Sequence, residues 1–112
     1  MQIIEEYVAP HGGFRFIVTR TDDGDISLGF EGYPWHTHGD ILESLSGLSI
    51  EVAIRQYVDA LLGGQLFIAI ARVDGEIRNV WVTDDPRPDK YKPANETIEF
   101  QYWNGLRVST SL

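Results

Sequence analysis

The stretch SIEVAIRQYVDALLGG, residues 49–64, decides the fold. Ile50, Ile54, Tyr57, Val58, Leu61 and Leu62 recur at the spacing of one helical face, while Arg55 and Gln56 fall off that stripe. Ser49 stands where an N-cap belongs, and Gly63-Gly64 stands where a helix stops. The spacing predicts a helix over 49–62 with Ile54, Tyr57, Val58 and Leu61 turned towards a sheet. No other stretch has this length and period, so the remaining apolar residues must be sorted into strands.

On the N-terminal side, Phe14, Phe16 and Val18 alternate along GFRFIVTR, and Ile26, Leu28 and Phe30 alternate along DISLGFE. The cluster Thr21-Asp22-Asp23-Gly24 between them predicts a hairpin turn. Ile3 to Val8 supplies a further strand, linked through Pro10-His11-Gly12-Gly13. After the helix, LFIAIARV is apolar on both faces and reads as a central, covered strand. Asp74-Gly75 is a two-residue turn signal leading into EIRNVWVT. A polar, proline-bearing loop, DDPRPDKYKPANE, follows, and TIEFQYW-NG-LRVST closes the chain as a second hairpin. A two-residue Asn104-Gly105 turn would pair Trp103 with Leu106 and Tyr102 with Arg107. That register puts Ile98, Phe100 and Tyr102 on a face with Arg107 and Ser109, so both faces should be partly covered. The expected fold is α+β: a mainly antiparallel, bent β-sheet in the order β-β-β-α-β-β-β-β, packed on one amphipathic helix. No linker or repeat divides residues 1–112, which read as a single globular domain.

Charge narrows the partners. Nine Lys and Arg face seventeen Asp and Glu, a net charge of −8. Phosphate neutralisation and attraction to anionic membranes both need the opposite sign, so no nucleic acid and no membrane is expected as a partner. A basic protein is the partner that the charge favours. The chain has no cysteine, which removes disulfides, thiolate metal sites and thiol nucleophiles and fits a reducing cytoplasm. The N-terminus MQIIEEY carries no signal-peptide pattern, and the apolar run from Leu66 to Ala71 is too short to span a bilayer.

The sharpest chemical signal is GYPWHTHGD, residues 32–40. On an extended chain His36 and His38 point to one side, as a metal would need, and Asp40 or His11 could add a ligand. The spacing His36, His38, Glu43 resembles the H-x-H-x4-E element of the cupins. However, Phe30 stands where that pattern has glycine, no histidine follows His38, and the cupin jelly roll has no helix where residues 49–63 look helical. The family is set aside. The competing reading is a capping box, with Asp40 as N-cap and Glu43 reaching back, that starts a short helix ending near Gly47. Asp40 and Glu43 would then be occupied, and no tight metal site and no cofactor are expected. A small metal-dependent enzyme or sensor using His36, His38 and His11 remains the alternative.

Other catalytic signatures are lacking. There is no G-x-S-x-G elbow, no P-loop and no G-x-G-x-x-G, so an enzyme is not the favoured reading. Asp22, Asp23 and Asp25 read as turn residues without the distal glutamate of a calcium loop. In general character the chain resembles the immunity proteins that bacteria make against their own basic nuclease toxins: short, cysteine-free, acidic and of one domain. By that analogy it would be a protein-binding domain without catalysis, inhibiting a basic protein. Trp35, Asp84, Asp85 and Tyr91, in the segments 33–40 and 84–96, are the expected contact residues. A structural domain whose sheet edge self-associates into a homo-oligomer is the third reading.

Overall fold

A computed structural model describes residues 2–10, 13–87 and 95–108. Seven strands and two helices follow in the order β1 (Gln2–Val8), β2 (Arg15–Arg20), β3 (Ile26–Phe30), β4 (His36–His38), α1 (Gly39–Ser46), α2 (Ile50–Leu62), β5 (Phe67–Val73), β6 (Glu76–Thr83) and β7 (Glu96–Gln101). The α+β class and the antiparallel pairing stand. The strands divide into a four-stranded sheet, β1-β2-β3-β4, and a three-stranded sheet, β6-β5-β7. The divide falls at the helices, which carry the chain from the edge strand β4 into the central strand of the second sheet. No helix among the described residues is long and apolar enough to cross a membrane.

The helical stripe explains the core. Val58 and Leu61 are fully buried, Ala53 and Ile54 nearly so, and Tyr57 packs beside them. They join Phe16, Val18, Leu28 and Phe30 of the first sheet and Ile68, Ile70, Val80 and Val82 of the second in one apolar core. Phe16 links the first sheet to the helix: it meets Phe30 edge-on at 5.1 Å and Tyr57 at 6.5 Å between centroids. Ala69 and Ala71 are also buried on the other side of β5, as expected for a covered central strand.

The turns follow their residues. Asp74 and Gly75 both take left-handed φ, 53° and 83°, and join paired Val73 and Glu76 as a two-residue hairpin turn. Ser49 precedes α2 as its N-cap residue, but its carbonyl, accepting from the Ala53 amide at 2.8 Å, starts the helix and its side chain makes no cap bond.

Two local expectations are corrected. Helix α1 ends at Gly47, in left-handed φ, as expected, but it starts earlier than a capping box would allow. His38 is its N-cap residue and Asp40 lies inside the first turn, because β4 pairing delivers the chain directly into the helix at Gly39. Asp40 there complements the helix dipole without capping. The final hairpin also differs. Gln101, not Tyr102, opposes Arg107, and the Tyr102 amide donates to Leu106 O at 2.8 Å around a longer turn. This register sets Leu106 and Val108 opposite Tyr102 and Phe100, and Arg107 on the side of Glu99, which it meets at 3.0 Å. Apolar residues therefore face apolar ones, while Trp103 turns inward and is buried. The expected strand after this turn is a single bridge at Arg107, and residues 109–112 lie outside the described ones.

Leu61→Ala should lower stability by about 2–5 kcal/mol, because the side chain is fully buried. Leu45→Ala, on a residue 81% exposed, should change it by less than about 0.5 kcal/mol. Urea midpoints at constant m-value check both.

Candidate functional site

The histidine stretch forms the outer wall of a cleft. β3 pairs with β4 through Ser27↔His38 and Gly29↔His36, and with β2 through Thr19↔Ser27 and Ile17↔Gly29. Paired residues share a face, so Thr19, Ser27 and His38 form one row across the first sheet, and Ile17, Gly29 and His36 form the next. This face is opposite the core face of Phe16, Val18 and Leu28, which alternate with it along the strands. The cleft over it has a volume of about 560 Å³, with Ile3 on one side and Tyr33, Trp35 and the histidines on the other. Thr19 on its floor is buried despite its hydroxyl, which donates to Ser27 O at 3.4 Å.

Gly29 makes this arrangement possible. A Cβ built there would lie 2.6 Å from the Trp35 carbonyl oxygen and 3.2 Å from the His36 Cβ. The absence of a side chain lets the β4 backbone close over β3. The Trp35 amide also donates to Asn79 Oδ1 at 3.3 Å, which ties this edge to β6 of the other sheet.

Both imidazoles are held. His36 Nδ1 lies 3.1 Å from the Pro34 carbonyl oxygen, and His38 Nδ1 lies 3.0 Å from Asp25 Oδ2. The rings meet edge to face, with centroids 4.9 Å apart and planes at 79°. Asp25 thus supports the His38 ring, whereas the sequence had offered Asp40 or His11 as a third metal ligand. Asp40 is exposed on α1, and His11 lies outside the described residues. The pairing of Asp25 with His38 had a signal in the sequence only if β3 and β4 were known to form a hairpin, since Asp25 looked like a turn residue. Among the described residues, no three of His, Asp and Glu gather as a group that could hold a metal.

A second concavity lies on the helix side. Leu42 and Leu45 of α1 and Ala53, Gln56, Tyr57 and Ala60 of α2 line a shallow groove that reaches Leu66. Tyr57 and Leu66 also line its neighbour, with Val82, Thr83 and Asp84. Burial raises the pKa of the Tyr57 hydroxyl, and the charge of Asp84 raises it further. Beyond the groove, Ile41, Leu48 and Val52 are exposed to 45%, 36% and 46%.

The four expected contact residues are therefore on different surfaces or unplaced. Trp35 packs partly against the core and lines the histidine cleft. Asp84 lies beyond the end of β6 at the helix groove, roughly 16 Å along that strand from Asn79, at about 3.3 Å per residue. Asp85 is gripped by Arg87, whose Nε and Nη2 donate at 2.7–3.0 Å, and this contact lowers its pKa. Tyr91 lies outside the described residues.

The chain matches no family model, no curated protein and no solved structure at a significant level.

Gly29→Ala should destabilise the fold by about 1–3 kcal/mol, because the added methyl overpacks against backbone. The same substitution should displace β4, so the ring signals of both His36 and His38 should move in the NMR spectrum. Unchanged ring signals would show that the close approach is not required.

Proposed function

We propose that the protein is a binding domain without catalysis that docks a basic protein on the outer surface of its helix pair. The observation that carries this reading is a set of apolar side chains left in water among acids that form no ion pair with a described residue. Leu45 is 81% exposed, and Ile41, Leu48 and Val52 are exposed on the same two helices and their junction. Exposed Asp40, Glu43 and Glu51 lie among them in the chain, and none of the three makes an ion pair with a described residue. Helix α1 carries no Lys or Arg, and α2 carries only Arg55, which meets Glu5 at 3.5 Å.

Elsewhere, most of the arginines among the described residues are engaged. Arg15 bridges Glu6 and Glu31, Arg72 and Arg107 share Glu99, and Arg87 holds Asp85. The helix face therefore contributes unmatched negative charge around an apolar centre, the complement of a partner with lysines or arginines flanking apolar anchors. Of the residues expected from the sequence, Asp84 fits this surface because it sits where the groove ends. An immunity-type role, inhibition of a basic toxin in the cytoplasm, is the biological setting most consistent with this surface and with the net charge of −8.

A 14-residue amphipathic helical peptide of leucine and lysine is a suitable probe, with its leucine and glutamate counterpart as control. The lysine peptide should shift amide NMR signals of residues 40–52 and of the groove residues. Its binding should weaken from 50 to 300 mM salt, since exposed charges are screened within about 8 Å at physiological ionic strength. Leu45→Ala should weaken binding about tenfold or more, and Asp84→Lys should slow association more than it speeds dissociation. Peptide contacts confined to the histidine cleft, or equal binding of the glutamate peptide, would sink the proposal.

A further inference from the structure

Separately from docking on the helices, the histidine cleft has the supports of a metal site. Each ring is anchored at Nδ1 by an oxygen that only accepts: the Pro34 carbonyl for His36 and the Asp25 carboxylate for His38. Each Nδ1 must then carry the proton, and in the neutral ring the lone pair sits on Nε2. Anchoring of this kind, to a carbonyl or a carboxylate, is how metal-binding imidazoles are oriented and made more basic. The two rings also belong together. They share the outer face of β4, opposite Gly29 and Ser27, with centroids 4.9 Å apart. Two nitrogens each about 2.0–2.1 Å from one ion lie within about 4 Å of each other, which rings at this separation allow.

We propose that His36 and His38 bind one late first-row divalent ion, Zn²⁺, Ni²⁺ or Cu²⁺, as a two-imidazole site with open coordination positions, and that Asp25 is its positioning residue. Imidazole nitrogen selects these ions over Mg²⁺ and Ca²⁺, which prefer oxygen. The surroundings favour a cation: Asp25 and Glu31 line the cleft with the imidazoles, and the Arg15 guanidinium is paired with Glu31 and Glu6. The remaining positions would face a floor of Gly29, Ser27 and Thr19, where there is room for water or a small oxygen ligand. Two protein ligands make this a weaker site than a closed structural one, and an accessible one.

The test uses the full chain without a His tag. Zn²⁺, Ni²⁺ and Mg²⁺ are titrated by calorimetry, and the ring nitrogens are followed by long-range ¹H–¹⁵N NMR. One Zn²⁺ or Ni²⁺ per chain is expected, with the Nε2 signals of His36 and His38 shifting together and no response to Mg²⁺. His36→Ala and His38→Ala should each weaken binding at least tenfold. Asp25→Ala should weaken it about 10–100-fold and change the tautomer signature of His38 at an unchanged denaturation midpoint. Absence of binding at millimolar Zn²⁺, or binding that survives the double histidine substitution, would overturn the site. Unaltered affinity in Asp25→Ala would overturn the role of Asp25.

Discussion

The burial of one face of α2 is the constraint on which the rest of the molecule depends. Val58 and Leu61 have no exposed surface, and the residues that cover them come from both sheets. Each such side chain contributes about 1.5–3 kcal/mol by leaving water. Neither a three-stranded nor a four-stranded sheet has its own second layer here, so each depends on the helix to cover its apolar face. The two sheets also meet directly, where β3 approaches β6 and the Trp35 amide donates to Asn79 Oδ1 at 3.3 Å.

With the inner faces committed, the chemistry is left to the outer ones, and these differ in kind. Alternation along β2, β3 and β4 sends Phe16, Val18 and Leu28 inward and Ile17, Thr19, Ser27, His36 and His38 outward. Apart from Ile17 the outward set is polar or imidazole-bearing, and Gly29 lets the edge strand fold over it. On the helices, the residues off the stripe include exposed acids and aliphatics instead. The first face is shaped to enclose something small, and the second is a broad surface without depth. These are different physical demands, and a chain of 112 residues meets both because they fall on opposite sides of the same sheet.

What was legible in the sequence was whatever depends on local pattern. The helix over 50–62, the Asp74-Gly75 turn and the covered strand β5 follow from period, turn chemistry and a run of apolar residues. What was not legible depends on pairing between segments. The edge strand β4 is three residues long and exists only because Ser27 and Gly29 accept it, so no propensity announces it. The same pairing moved the start of α1 and turned Asp25 from a turn residue into the partner of His38. In the last hairpin, Asn104-Gly105 correctly signals a turn but not its length. Inward burial of Trp103 and the match of Arg107 with Glu99 select the longer loop over the two-residue one. Local turn preference is the weaker effect, since register decides the environment of every side chain beyond it.

His38 is where these levels meet. Its backbone ends β4 and is the N-cap residue of α1, while its ring holds Asp25 in the cleft. No side chain caps the helix, so the position of α1 rests on the pairing of His38 with Ser27 and on Gly39, whose missing Cβ leaves space that Ile50 and Ile54 occupy. A bulkier residue at 39 would press on Ile50 Cδ1, which lies 2.9 Å from the site of the absent carbon. The first turn of α1 is thus fixed from two directions, by strand pairing on the cleft side and by close packing on the helix side. Its exposed residues, Ile41 and Leu45, follow within seven positions of the imidazole that lines the cleft. A short helix of eight residues is marginal alone. Here it is held from both sides, by the β3–β4 pairing before it and by its packing on α2 after it.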